Sequence, residues 1–217
     1  ASAMYRIAIF DLDGTILNTL EDLCDSLNHA LALSSMPCRS LAQVRSYLGN
    51  GIRALVECGV PENTPPKLTD AVFAEFASYY PAHCRIKTAP YPGILQLFSK
   101  LRESGIKIAV VSNKVDAAVQ TLCADFFPGL LDYCVGEKSG IRKKPCPDSL
   151  NHVLQLFGAS PRDALYIGDS EVDAKTAENA GVDCALVSWG FREEAFLKTL
   201  GAQYLVHTPR EIFEIIR

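Results

Sequence analysis

The chain has 217 residues and a mass of 23.7 kDa, with 21 Lys and Arg against 25 Asp and Glu, a net charge of −4 and a pI near 5.6. That length admits one large domain, or a core with a smaller appendage, and it can bury a core without disulfides or metal staples. The acidic balance argues against nucleic acid or an anionic membrane surface as the main partner, and a hydrophobic content of 48% with 21% charged residues excludes a disordered chain.

From the N-terminus, the stretch from Ala1 to Arg6 lacks the basic start and long apolar run of a secretory signal, so a cytoplasmic location is expected. The first strand is predicted over residues 6–10. Residues 18–88 contain no convincing strand: Leu20, Leu23, Cys24, Leu27 and Leu31 form a helical stripe, and further helices are predicted over 41–48, 52–58 and 67–83, punctuated by Pro61, Pro65 and Pro66. Beyond Pro92-Gly93, the positions Ile94, Leu97, Phe98 and Leu101 line one side of a helix that Gly105 stops.

Strands are then predicted over 106–111, 133–135, 164–167, 184–187 and 204–206, and their near-continuous apolar character fits strands covered on both faces. The longest apolar run, Ile108-Ala109-Val110-Val111, is the size of one buried strand and far too short to cross a bilayer. The expected fold is α/β: a Rossmann-like parallel sheet with helices on both faces, built from residues 1–17 and 89–217, with an all-helical module over 18–88 inserted after the first strand. Eight cysteines include no C-x-x-C pair and no histidine at ligand spacing, so reduced thiols are expected. His29, His83, His152 and His207 share no spacing that suggests a site.

The chemistry concentrates at strand ends, where ligands gather in an open parallel sheet. Directly after the first strand comes Asp11-Leu12-Asp13-Gly14-Thr15. Asp-x-Asp there can turn one carboxylate and one backbone carbonyl toward a single point, and oxygen ligands suit Mg²⁺. Gly14 lets the chain turn sharply and exposes amides that an anion can use; a solvated Asp-Gly turn is the plain alternative. Asp169 falls after the 164–167 strand, and Asp173, four residues on, shares a helix face with it if a helix begins at Ser170. Two clusters of carboxylates at two strand ends argue for a divalent cation more strongly than either alone. Ser112-Asn113-Lys114 follows the 106–111 strand; Ser112 can donate to a phosphate oxygen or simply cap a helix. In the loop Arg142 to Asp148, Pro145 biases Lys144 toward extended backbone that aims its side chain inward, the alternative being a solvated basic loop.

In this order, Asp11-Leu12-Asp13-Gly14-Thr15, Ser112, Lys144-Pro145 and Gly168-Asp169-Ser170 with Asp173 resemble the haloacid dehalogenase-like hydrolase superfamily, in its phosphatase branch. The resemblance implies that the helical insert is a C1-type cap. It implies that Asp11 is a nucleophile forming an aspartyl-phosphate, and that Asp13 is the general acid and base. Mg²⁺ would be held by Asp11, Asp13 (through its carbonyl) and Asp169, with Asp173 helping directly or through water. Ser112 and Lys144 would stabilise the transferring phosphoryl group, with Gly14, Thr15 and Asn113 beside the phosphate. Dehalogenases of this fold lack the acid at the place of Asp13, so its presence favours phosphate chemistry.

Tyr47-Leu48-Gly49-Asn50-Gly51, the run from Tyr166 to Asp173 with Ala180-Gly181, and Ser188-Trp189-Gly190-Phe191-Arg192 resemble the phosphoglycolate phosphatases and their near relatives. Gly49, Asn50 and Gly51 would then contact the leaving group, unless they are merely a turn between helices. Arg45 or Arg53 would pair with a substrate carboxylate, while Trp189 and Arg192 read as packing and solvated residues. The implied reaction is Mg²⁺-dependent hydrolysis of a small phosphorylated metabolite such as phosphoglycolate. Pyrophosphatase, nucleotidase and sugar-phosphate phosphomutase activities remain open within the superfamily, and a phospho-acceptor signalling module remains open outside it. Gly49-x-Gly51-x-x-Ala54 loosely matches a dinucleotide fingerprint but follows a predicted helix rather than a strand, and no P-loop motif is present.

Overall fold

The structure is a computed structural model and describes residues 3–217, so the expectations that touch Ala1 and Ser2 lie outside the described residues. In chain order the elements are β1 (Ile7–Phe10), β2 (Leu17–Asn18), α1 (Leu20–Leu33), α2 (Leu41–Tyr47), α3 (Ile52–Gly59), α4 (Pro66–His83), β3 (Ala89–Pro90), α5 (Ile94–Glu103), β4 (Lys107–Val115) and α6 (Asp116–Phe126). They continue as β5 (Tyr133–Glu137), α7 (Asp148–Leu156), β6 (Ala164–Gly168), α8 (Glu171–Ala180), β7 (Asp183–Val187), α9 (Glu194–Leu197), β8 (Tyr204–Val206) and α10 (Pro209–Ile216).

The chain divides into two compact units. One comprises the described residues up to Leu17 together with Pro90–Arg217; the other is Asn18–Ala89. In the first unit six strands form a sheet in the order β5-β4-β1-β6-β7-β8, and every pairing is parallel. Both faces are covered, which is why β1, Ile-Ala-Ile-Phe, carries no polar residue and is buried throughout. α5 buries the stripe Ile94, Leu97, Phe98 and Leu101, and the chain leaves it through Gly105 at φ +75. The succession β1, β4, β5 builds the sheet in one direction, after which β6 returns to the other side of β1. That reversal opens a crevice at the carboxyl ends of β1, β4 and β6.

The second unit consists of α1 to α4. α1 buries Leu23, Cys24, Leu27 and Leu31, the predicted stripe without Leu20. α2 begins at a Ser40 cap whose hydroxyl accepts from the Gln43 N–H while Gln43 accepts from the Ser40 N–H. The crossings Leu17–Asn18 and Ala89–Pro90 pair as a two-stranded ribbon that the sequence pattern does not announce. At the end of this unit the buried Asp22 accepts from the Lys87 and Thr88 N–H groups and from the Thr88 hydroxyl.

β4 departs from expectation. It continues through Ser112-Asn113-Lys114 to Val115 instead of turning after Val111, and its pairing register with β5 shifts between Val111 and Val115. All eight cysteines are free thiols. No helix among the described residues is long and apolar enough to cross a membrane.

Candidate active site

β1 is the central strand beside the crevice, and the chain turns immediately beyond it. The Leu12 carbonyl accepts from the N–H groups of Thr15, Ile16 and Leu17 at 3.1 to 3.3 Å, and the Gly14 N–H donates to the Leu17 carbonyl at 2.9 Å. Gly14 has φ +82, and a Cβ there would collide with the Asp169 carboxylate, so both backbone and space require glycine. This turn leaves Asp11 buried at the strand end and Asp13 partly exposed, with Lys114 Nζ 3.2 Å from Asp13 Oδ1.

Asp11 meets the other carboxylates around Lys144. The ammonium is 3% exposed and donates at 2.9 Å to three acceptors: Asp11 Oδ1, Asp173 Oδ1 and the Tyr166 hydroxyl. Burial alone would favour the neutral amine, but attraction to Asp11 and Asp173 outweighs it and holds the Lys144 pKa above its ordinary value. The peptide Lys144–Pro145 is cis. Asn113 clamps this point: its amide nitrogen donates to the Lys144 carbonyl at 3.1 Å, and its carbonyl accepts the Lys144 N–H at 2.8 Å. The Asn113 side chain, expected beside the phosphate, is thus committed to positioning Lys144. The solvated alternative for Lys144 does not hold.

Asp169 follows β6 and is buried. Its Oδ2 accepts the Phe191 N–H at 2.9 Å and its Oδ1 lies 3.4 Å from the Thr15 hydroxyl. Burial, followed by repulsion from Asp173, raises its pKa to about 7. Burial and then Asp173 also push Asp11 well above the carboxylate range, against the pull of Lys144. Asp173 behaves oppositely: burial opposes ionisation, but Lys144 and the Tyr166 hydroxyl hold it below the ordinary value. Both its oxygens are engaged, Oδ1 by Lys144 and Tyr166, and Oδ2 by the N–H groups of Asp169 and Ser170 and the Ser170 hydroxyl. Ser170 is the N-cap of α8, the helix start considered in the sequence. Ser112 does not cap α6, whose cap is Val115; its hydroxyl accepts the Lys114 N–H at 3.0 Å.

One oxygen from each of Asp11, Asp169 and Asp173 lies within 4.8 Å of the others. Burial and mutual repulsion work against ionising Asp11 and Asp169 together, and a divalent cation such as Mg²⁺, which favours hard oxygen donors, would offset that repulsion.

Other residues singled out in the sequence belong to the helical unit or bond to partners of their own. Gly49, Asn50 and Gly51 connect α2 to α3 in the helical unit, with positive φ at both glycines. Arg53 is drawn into ion pairs with Glu57 and Asp70 within that unit. Tyr166 escaped sequence reasoning because a tyrosine in an apolar strand reads as core. Trp189 and Arg192 do more than pack or meet solvent: the indole donates to the Thr15 carbonyl at 3.0 Å and the guanidinium pairs with Glu171. A polar tip on an otherwise apolar strand was the available signal for Tyr166.

The haloacid dehalogenase-like hydrolase family model matches residues 8–187. The chain is 34% identical to the phosphoglycolate phosphatase of Caulobacter vibrioides over 203 residues, covering 92% of this chain and 85% of that protein. It is 31% identical to phosphoglycolate phosphatase 1 of Pseudomonas aeruginosa, covering 88% and 72%. A crystal structure of a provisionally named phosphoglycolate phosphatase from Lactobacillus delbrueckii subsp. bulgaricus superposes with a TM-score of 0.93 at 38% identity, over 98% of this chain and 99% of that one.

Proposed function

We propose, for a chain that belongs to the haloacid dehalogenase-like hydrolase family, Mg²⁺-dependent hydrolysis of a small phosphomonoester at the crevice beyond β1, with phosphoglycolate the first substrate to test. The observation that carries this reading is the buried Asp11, held by Lys144 at 2.9 Å among carboxylates whose oxygens lie within 4.8 Å of its own. Among the alternatives, the names of the relatives favour phosphoglycolate over pyrophosphate or nucleotides.

In the first step Asp11 attacks phosphorus, forming an Asp11 Oδ–P bond as the ester P–O bond breaks. Asp13, partly exposed beside Lys114, gives its proton to the departing alkoxide. In the second step Asp13 takes a proton from water, the water oxygen attacks phosphorus, and the Asp11–phosphorus bond breaks to release phosphate. Lys144 and Ser112 stabilise charge on the phosphoryl oxygens, while Gly14, Thr15 and Asn113, whose own bonds fix the turn and the Lys144 backbone, would shape the place of the phosphate. Asp11, Asp169 and the Asp13 carbonyl would hold Mg²⁺, which offsets repulsion between an anionic nucleophile and an anionic ester. Asp173 holds Lys144 in place and contributes its charge to the metal site. The family resemblance implies that the helical unit would be a cap, with Gly49, Asn50 and Gly51 as the residues to test for a role toward the leaving group.

Steady-state assays with phosphoglycolate, pyrophosphate, nucleoside monophosphates and sugar phosphates at equal concentration test the substrate. Sustained phosphate release is expected, while transfer to a second sugar position would identify a mutase and stoichiometric labelling a signalling module. Asp11→Asn is expected to abolish turnover; near-normal rates would falsify the nucleophile assignment.

A further inference from the structure

The segment from Ser188 to Arg192, just beyond β7, has no part in the chemistry above, yet it touches Asp169 and its surroundings repeatedly. Its base is fixed on β8 by the Ser188 N–H, which donates to the Val206 carbonyl at 2.9 Å. The Trp189 indole N–H donates to the Thr15 carbonyl at 3.0 Å. Gly190 lies so close to Asp169 Cβ and the Gly14 carbonyl that a side chain would collide with both. The Phe191 N–H donates to Asp169 Oδ2, and its ring packs where a Cβ on Gly14 would be, 2.8 Å from Phe191 Cδ2. Arg192 closes the segment with a two-pronged ion pair to Glu171, at 2.8 and 3.0 Å.

We propose that Trp189–Arg192 is a clamp that presets Asp169 and the Gly14–Thr15 turn for a divalent cation, and thereby sets the affinity of the site for Mg²⁺. This rests on the reading of Asp169 as a metal ligand. A carboxylate on a strand-end loop has rotational freedom, and here it must also stand near two others of the same charge. The clamp fixes one oxygen through the Phe191 N–H and leaves that oxygen a further lone pair. Trp189 holds the Gly14–Thr15 turn against Asp169, and Arg192 holds the start of α8, two residues beyond it. These contacts order the carboxylate through the chain itself, and outer contacts of this kind tune metal affinity. Trp189 and Arg192 are positioning residues that act through Asp169 and its neighbours.

The test titrates the full chain with Mg²⁺ alone, without substrate, by calorimetry. Trp189→Phe removes the indole donor and keeps an aromatic ring, and Arg192→Gln removes the charge that grips Glu171. Each is expected to raise the Mg²⁺ dissociation constant by roughly tenfold or more, the effect typical of losing an outer-shell partner. Turnover lost at low Mg²⁺ should recover as Mg²⁺ is raised, and Arg192→Lys should restore part of the affinity. A merely structural role would lower the melting temperature and leave the dissociation constant in place. Folded Trp189→Phe and Arg192→Gln proteins that bind Mg²⁺ like the wild type overturn the clamp. If Arg192→Gln does not fold, Trp189→Phe decides alone. A wild-type protein that binds no Mg²⁺ overturns the metal reading as well, whereas wild-type binding with unchanged variants overturns the clamp only.

Discussion

Replacing Lys144 with methionine tests the electrostatics of the site before any substrate is added. The ammonium is 3% exposed and is the common donor to Asp11, Asp173 and Tyr166, each at 2.9 Å. Methionine fills similar space but leaves two buried carboxylates and a buried hydroxyl without that donor. Breaking a buried pair by removing one partner costs about 3–5 kcal/mol, because the remaining charge stays out of water. In a chain of this length each kcal/mol moves Tm by about 2–4 °C, so Lys144→Met is expected to melt about 6–20 °C below the wild type in metal-free buffer. Mg²⁺ should narrow the gap, since a site without its ammonium binds a cation more tightly and binding to the folded state stabilises it. Differential scanning calorimetry at neutral pH with and without Mg²⁺ reads both effects. A metal-free Tm within about 2 °C of the wild type would refute the reasoning, because ~1 kcal/mol or less is too small for an uncompensated buried charge. In the presence of Mg²⁺ and substrate, turnover should fall on the order of 10²–10³-fold, as when a preorganised donor to the reacting group is removed.

Three further outcomes follow from particular contacts. In metal-free protein the Asp169 pKa of about 7 stands above its unfolded value, so the folded chain holds a proton there that the unfolded chain has lost. The contribution of that proton to stability is present at acid pH and is lost as pH rises from roughly 4 toward 7. Mg²⁺ requires ionised carboxylates, so binding should release more protons near pH 6, where Asp169 still holds its own, than near pH 8, read by calorimetry in buffers of different ionisation enthalpy. Equal release at both pH values would contradict the assignment. Tyr166→Phe deletes a 2.6 Å bond to Asp173 and an acceptor for Lys144. It should destabilise the protein by about 1–3 kcal/mol in urea unfolding, and a loss under about 0.5 kcal/mol would reduce Tyr166 to packing. Asp22→Ala should speed hydrogen exchange at the Lys87 and Thr88 amides, which now donate to the carboxylate at 2.9 to 3.1 Å; unchanged protection would show that other contacts hold that crossing.

The strands and amphipathic helices were legible in the sequence because their signals are local. Ile7 to Phe10 is apolar without interruption because both faces are covered, and Ile94, Leu97, Phe98 and Leu101 repeat because one helix face meets the sheet. The acids of the candidate site were legible for a related reason: a carboxylate next to a buried strand stands out against its neighbours. Where β4 ends was not legible. The polar run Ser112-Asn113-Lys114 ends the apolar pattern, yet the strand runs on to Val115 and pairs again with β5 beyond a register shift.

What the sequence determined by itself is the parallel α/β core, the helical insert and the family of carboxylates at strand ends. Only the tertiary structure decided how those groups divide their labour: that Asn113 grips the Lys144 backbone, that Tyr166 and Lys144 both bond Asp173, and that Trp189 and Arg192 reach Thr15 and Glu171. The physical reason is range. Burial pattern and chain geometry act over a few residues and leave a periodic trace, whereas a hydrogen bond between residues 113 and 144, or 15 and 189, depends on where folding delivers two chain segments and leaves no periodic mark on either.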